Sequence, residues 1–193
     1  MSRAGIYGGT FDPVHNGHLI TAQCVRELRS LDKVIFIPNR ISPLKQELKV
    51  SEPEHRMNML KLAIKNIPYF DLSDFEIKRK NVSYTIDTLH RIKQDYEEIE
   101  LIIGADNINT FDRWKSPEEI IELATLLVLK RRTENEPDVH NKFIKDAVLL
   151  ETPVIDISGT VIRERVRRGL PIDFLVPQDV MKYIYDLKLY KDL

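Results

Sequence analysis

Gly8-Gly9-Thr10-Phe11-Asp12-Pro13-Val14-His15-Asn16-Gly17-His18 decides how this chain folds, because of what stands on either side of it. A short apolar run at positions 4–7 precedes it, and apolar residues at helical spacing follow it to about position 31. That order reads as a buried strand, a tight turn and a helix. The two glycines let the backbone turn sharply and approach a ligand closely. Amides at the start of the helix have no partner within it, so they point at that ligand and favour phosphate. His15 and His18 are three residues apart and share one face at a helical start. Two imidazoles beside such amides suit a polyphosphate, as donors to oxygens that gain charge. A zinc site is the weaker reading, since no third ligand clusters with the pair and the chain has a single cysteine, Cys24. Cys24 itself reads as a buried structural thiol.

The same rhythm continues outward. Positions 33–38 form a buried strand closed by Pro38. Ser51-Glu52-Pro53-Glu54 has the form of a capping box, with apolar residues at helical spacing behind it. An extended stretch at 70–77 precedes a helix at 83–96, for which Ser83 or Thr85 is the cap. A buried strand at 100–104 is followed by short helices at 106–114 and 117–123 and a strand at 126–129. Residues 132–142 are polar and read as a loop. Strands are expected at 148–150 and 154–157, then a helix from Ser158 through Arg168 and a last one opened by Pro177.

Strands separated by helices imply a parallel sheet covered on both faces. The expected fold is therefore α/β, a doubly wound parallel sheet of about five strands. It forms a single domain over residues 1–193, with the helical part from about 158 packed on it. No repeat or linker divides the chain. In such sheets ligands bind beyond the carboxyl ends of the strands, and every motif here lies just after an expected strand.

Composition narrows the class. The 42% apolar and 31% charged residues are those of a soluble globular chain. With 29 basic against 30 acidic residues, no basic excess points to nucleic acid or an anionic membrane. There is no signal-peptide pattern and no apolar stretch long enough to span a bilayer. A reducing cytoplasm is the expected compartment.

A second phosphate-grade motif is Val154-Ile-Asp-Ile-Ser158-Gly159-Thr160-Val-Ile-Arg163. Ser158 caps the following helix, and Thr160 and Arg163 fall within its first turn, so amides, hydroxyls and a guanidinium converge there. Arg165, Arg167 and Arg168 read as a solvated face. Three further segments are Pro38-Asn39 with Ser42-Pro43-Leu44-Lys45, Val82-Ser83-Tyr84-Thr85-Ile86-Asp87-Thr88, and Ile102-Ile103-Gly104-Ala105-Asp106 with Trp114 eight residues on. His55, His90 and His140 match nothing catalytic and read as surface residues.

Together these segments resemble, in family order and over nearly the whole chain, the bacterial nicotinate-mononucleotide adenylyltransferases. These belong to the nucleotidyltransferase superfamily, whose members carry a His-x-Gly-His element after the first strand. Class I aminoacyl-tRNA synthetases share a related element but need far longer chains. The sequence departs from the family pattern at Leu44, where a histidine is common, and at Gly159, where a second serine is usual.

The resemblance implies a Rossmann-like fold of the nucleotidyltransferase type and a reaction in NAD biosynthesis. ATP and nicotinate mononucleotide give nicotinate adenine dinucleotide and pyrophosphate. It implies catalytic roles for His15, His18 and Arg163, and ATP or phosphate contacts from Gly8, Gly9, Thr10, Phe11, Gly104, Asp106, Ser158 and Thr160. Mononucleotide contacts fall to Asn39, Lys45, Tyr84, Thr85 and Trp114. Mg²⁺ enters with ATP, held chiefly by substrate and water, with no metal ligand assigned to the protein. The expected partners are these two small molecules, without nucleic acid or membrane, in a monomer or homodimer. The alternatives are nicotinamide mononucleotide or another small phosphate as acceptor, including the pantetheine-phosphate adenylyltransferase and cytidylyltransferase reactions, and a nucleotide-binding regulator without activity.

Overall fold

In the computed structural model, which describes residues 2–40, 50–79, 82–129 and 141–191, the apolar runs become six parallel strands. They are β1 (Arg3–Gly9), β2 (Lys33–Pro38), β3 (Phe70–Leu72), β4 (Glu98–Gly104), β5 (Thr125–Leu129) and β6 (Ala147–Leu150). Their order across the sheet is β3-β2-β1-β4-β5-β6, with every neighbouring pair parallel. The order reverses between β1 and β4, so a crevice opens at their carboxyl ends. Gly8, Gly9 and Gly104 stand there.

Successive strand residues point to opposite faces. Tyr7, Val34, Phe36, Ile102 and Leu127 enter one core, covered by α1 (Asn16–Arg29), α2 (Pro53–Ile64), α7 (Gly159–Arg167) and α8 (Gln178–Asp186). Ile6, Ile35, Ile37, Leu101, Ile103, Leu126 and Val128 enter the other, under α4 (Thr85–Ile92), α5 (Ala105–Ile108) and α6 (Pro117–Leu123). Each strand is apolar on both sides because both faces are roofed. A single doubly wound α/β domain results, with six strands where about five are expected.

Several local expectations are corrected. The stretch at 70–77 is not one strand. It stops at Leu72, and Phe75–Lys78 forms a short helix, α3, because the Phe75 amide reaches the Ser73 hydroxyl at 3.4 Å and the Lys78 amide the Asp74 carbonyl at 2.9 Å. Residues 154–157 are not a strand, and the Ile157 amide donates to the Ile155 carbonyl at 2.9 Å, a spacing that no ladder makes. The capping box at Ser51 does not form. Glu52 is the N-cap, since the Ser51 amide donates to Asp12 Oδ2 at 2.9 Å and its carbonyl accepts from Arg56 at 3.0 Å. Pro53 does open the helix. Cys24 is half-buried on α1, with burial pushing its thiol up. His90 is exposed, whereas His55 is half-buried against the Tyr183 hydroxyl at 3.0 Å, and His140 lies outside the described residues. No described helix is long and apolar enough to cross a membrane.

At the sheet end away from the crevice, the buried Glu100 side chain takes Arg29 Nε at 2.8 Å and Arg3 Nη2 at 2.7 Å. Both arginines keep about 30% exposure (30% and 28%) and rehydrate if the carboxylate is removed. Glu100→Gln is therefore expected to cost about 1.5–3 kcal/mol, the range for hydrogen bonds to charged groups. It should leave turnover at room temperature unchanged. Denaturant unfolding of the variant alongside an activity assay checks both halves of this.

Candidate active site

The crevice is a cleft of about 490 Å³. Gly8, Gly9, Thr10, Phe11 and His18 line one side, Asn39, Tyr84 and Thr85 another, and Gly104, Asp106 and Trp114 a third. Eleven of the residues singled out in the sequence thus face one space. His15, Ser158, Thr160 and Arg163 are not among its lining residues, and Lys45 with Leu44 lies outside the described residues.

The turn after β1 is shaped by Phe11, which adopts a left-handed backbone (φ 51°) and is 2% exposed. Its ring packs edge-on against Tyr7 and Phe36 and lies 5.0 Å from His18. A Cβ at Gly9 would come within 2.9 Å of that ring, so glycine is required there. Phe11 therefore offers a ligand its backbone rather than its buried ring.

α1 starts at an extended His15. Its amides are less free than the sequence suggests. The Asn16 amide donates to the Leu175 carbonyl at 2.9 Å and the His18 amide to the His15 carbonyl at 2.9 Å. The loop before α8 closes over this helix end. The two imidazoles stack at 3.6 Å with 22° between planes, and His15 is buried while His18 is half-buried. The His15 amide donates to His18 Nδ1 at 3.2 Å. An accepting Nδ1 leaves the ring proton on Nε2, so His18 presents a donor from its other edge.

The second motif meets the first. Ser158 accepts from the Val161 amide at 3.2 Å and caps α7 as expected. Arg163 Nη1 donates to the Asp12 carbonyl at 2.6 Å, and Nη2 lies 3.3 Å from Thr160 Oγ1. Gly159 has a structural reason. A Cβ there would sit 2.7 Å from the Asp12 carbonyl oxygen and 3.2 Å from Arg163 Nη1, so a serine requires the helix start to move away.

On the far wall, α4 begins at Tyr84 without a side-chain cap. Neither Ser83 nor Thr85 caps it. Ser83 Oγ instead accepts from the Arg40 amide at 3.1 Å, tying this helix start to the loop after β2. Half-buried Trp114 packs on Phe111 at 5.1 Å, and Lys115 Nζ lies 4.8 Å over the Tyr84 ring.

Three residues escaped the sequence reading. Arg56 is fully buried and donates to the carbonyls of Thr10 at 2.9 Å, Asn39 at 2.7 Å, Arg40 at 3.4 Å and Ser51 at 3.0 Å, lashing the loops after β1 and β2 together. Burial pushes its pKa down, though the Asp12 charge opposes this. Glu76, buried in the cleft wall, accepts from Thr88 Oγ1 at 2.6 Å, and burial pushes its carboxyl up. Tyr190, buried beyond α8, donates to Asp12 Oδ1 at 2.7 Å. An arginine in a helical apolar pattern, a glutamate among thirty acidic residues and one of seven tyrosines carry no sequence signal for such tertiary roles.

Among the described residues no group of three or more His, Cys, Asp or Glu is placed to hold a metal. The site offers donors to anions instead: the uncapped start of α4, an imidazole edge and a guanidinium.

A family model described as cytidylyltransferase-like matches residues 6–165. The nicotinate-nucleotide adenylyltransferase of Bacillus subtilis strain 168 is 39% identical over 193 residues, covering 99% of this chain and all of that one. A solved structure, Plasmodium falciparum nicotinic acid mononucleotide adenylyltransferase complexed with NaAD, superposes with a TM-score of 0.79 at 21% identity, over 98% of each chain. The same Plasmodium falciparum protein complexed with APC gives 0.78 at 20% identity, again over 98% of each.

Proposed function

The chain belongs to the nicotinate-nucleotide adenylyltransferases of the cytidylyltransferase-like family, and from that premise we propose that it joins nicotinate mononucleotide to ATP. The products are nicotinate adenine dinucleotide and pyrophosphate, in NAD biosynthesis, and the compartment is the cytoplasm. The observation that carries this reading is the docking of Arg163 on the Asp12 carbonyl, 2.6 Å away, which brings the two phosphate-grade motifs to one end of the sheet.

Little covalent chemistry falls to the protein. The 5′-phosphate of the mononucleotide is an anion at neutral pH, with a second pKa near 6, and serves as nucleophile without a strong base. It attacks the α-phosphorus of ATP in line, and pyrophosphate leaves opposite. Catalysis is positioning plus stabilisation of charge on the transferred and leaving oxygens. His18 donates from Nε2 to those oxygens, with His15 stacked behind it as part of the same constellation. Arg163, Ser158, Thr160 and the α7 helix start meet the phosphates. Gly8, Gly9 and Thr10, with the Phe11 backbone, line the path of the triphosphate, and Gly104 and Asp106 stand across from them. Nucleotidyltransferases of this kind typically use a divalent metal. Here Mg²⁺ arrives as the ATP complex, a substrate held by its own phosphates and water.

The pyridine lies toward Trp114, Tyr84 and Thr85, with Asn39 toward the mononucleotide phosphate, for which the family resemblance also implies the Lys45 charge. The uncapped start of α4 favours the nicotinate carboxylate by about 0.3–2 kcal/mol. Each unpaired buried polar group adds about 1–3 kcal/mol against the amide. A preference for nicotinate of about tenfold or more follows. Trp114→Ala is expected to lower kcat/KM for both mononucleotides by about two- to tenfold, the worth of an aromatic stack. Their ratio should stay nearly constant, because stacking does not sense the charge. Equal values for the two acceptors in the parent overturn the amide cradle, and a collapsed ratio in the variant assigns the selection to Trp114.

The reaction itself is tested by pyrophosphate release with ATP or CTP against nicotinate mononucleotide, nicotinamide mononucleotide and phosphopantetheine. ATP with nicotinate mononucleotide should be the fastest pair. Faster release with CTP or phosphopantetheine overturns the assignment, and no release with any pair returns the chain to a nucleotide-binding regulator.

A further inference from the structure

Asp12 sits inside the first motif, yet its side chain does not line the cleft. Asp12 is 4% exposed, and its carboxylate is turned into the protein, where Oδ1 accepts from the Tyr190 hydroxyl at 2.7 Å and Oδ2 from the Ser51 amide at 2.9 Å. Its carbonyl accepts Arg163 Nη1 at 2.6 Å and is approached so closely by α7 that only glycine fits at position 159. One residue thus joins a buried anchor on its side chain to a guanidinium dock on its backbone. Tyr190 is 3% exposed and packs within the same core as α1, α2, α7 and α8, so the hydroxyl has a defined position.

We propose that Tyr190 is a positioning residue for adenylyl transfer: by holding the Asp12 carboxylate it sets the carbonyl on which Arg163 docks, and so sets where that guanidinium meets the ATP phosphates. This rests on the phosphate role given to Arg163 above. Burial, and then the Asp12 charge, push the Tyr190 hydroxyl well above its ordinary range, and the Ser51 hydroxyl and Arg163 only partly offset them. The phenol therefore stays protonated and donates at every pH at which the enzyme works. A donor lost to a charged acceptor weakens the tether without removing Arg163, and a small displacement of a guanidinium aimed at a transition state acts on rate more than on substrate binding.

Tyr190→Phe deletes the hydroxyl and leaves the ring in the core. Its kcat, measured well below the melting temperature, should fall about tenfold, with the KM for the mononucleotide within about threefold of the parent. Placed in an Arg163→Ala background, the same substitution should cost almost nothing further, since the effect runs through Arg163. Asp12→Asn should lower kcat similarly and combine with Tyr190→Phe less than additively. A purely structural tyrosine gives a lower melting temperature with unchanged kcat, or the same fold-loss with and without Arg163, and either result overturns the inference. A parent that forms no dinucleotide overturns the functional reading and this inference with it. An active parent beside an equally active Tyr190→Phe overturns the inference alone.

Discussion

His18→Ala is expected to lower kcat by roughly 10²–10³ while the KM for ATP moves little, because one preorganised donor to a developing oxyanion is worth that much. The geometry sharpens the expectation. The backbone amide of His15 holds His18 Nδ1 at 3.2 Å, so the ring is oriented and its proton sits on Nε2 before substrate arrives. An alanine removes both the donor and this local cap at the start of α1, and the cap adds about 0.5–2 kcal/mol of lost stability. Rates must therefore be compared at a temperature where the variant is fully folded. A well-folded variant with near-parent kcat removes His18 from the reaction.

Arg163→Lys should lose nearly as much, roughly 10² in kcat, although the charge is kept. The guanidinium spends Nη1 on the Asp12 carbonyl and places Nη2 near Thr160 Oγ1, with further N–H groups in the same rigid fork left for a phosphate. A lysine has one nitrogen on a flexible stem and cannot hold Asp12 and grip a phosphate bidentately. If the lysine variant turns over like the parent, the docked guanidinium is only a structural tie between α7 and the first loop. Steady-state kinetics of the purified variant, with kcat and KM separated, decide this.

Much of the fold is legible in the sequence because the sheet is parallel and roofed on both faces. Val34-Ile35-Phe36-Ile37 and Leu101-Ile102-Ile103 are apolar without alternation, and turn residues stop them abruptly. Val154-Ile155-Asp156-Ile157 carries the same β-branched composition but follows β6 and pairs with no strand among the described residues, a fact that composition does not encode. Ser51 illustrates the same limit in a helix cap. Its local pattern is right, but Asp12 and Arg56 claim its backbone, and both contacts join distant parts of the chain.

The site divides in the same way. The sequence singles out residues by type and spacing, such as His15, His18, Ser158 and Arg163, and the structure brings them to one end of the sheet. Arg56 and Tyr190, which bond the neighbouring loops, carry no such sequence signal. Their partners are backbone carbonyls and a carboxylate 46 and 178 positions away, respectively, at the longest reach. Gly159 stands between the two cases. From the sequence it is a missing hydroxyl, and in the structure it is the space that lets α7 close on Asp12.

In the proposed reaction the mononucleotide phosphate takes the adenylyl group from the α-phosphorus of ATP. The direct measurement is the fate of label when the protein is incubated with Mg²⁺, nicotinate mononucleotide and ATP labelled at the α-phosphate. The label should appear in nicotinate adenine dinucleotide, one equivalent for each unlabelled pyrophosphate released. Label recovered as free AMP or ADP, with no labelled dinucleotide, contradicts the account.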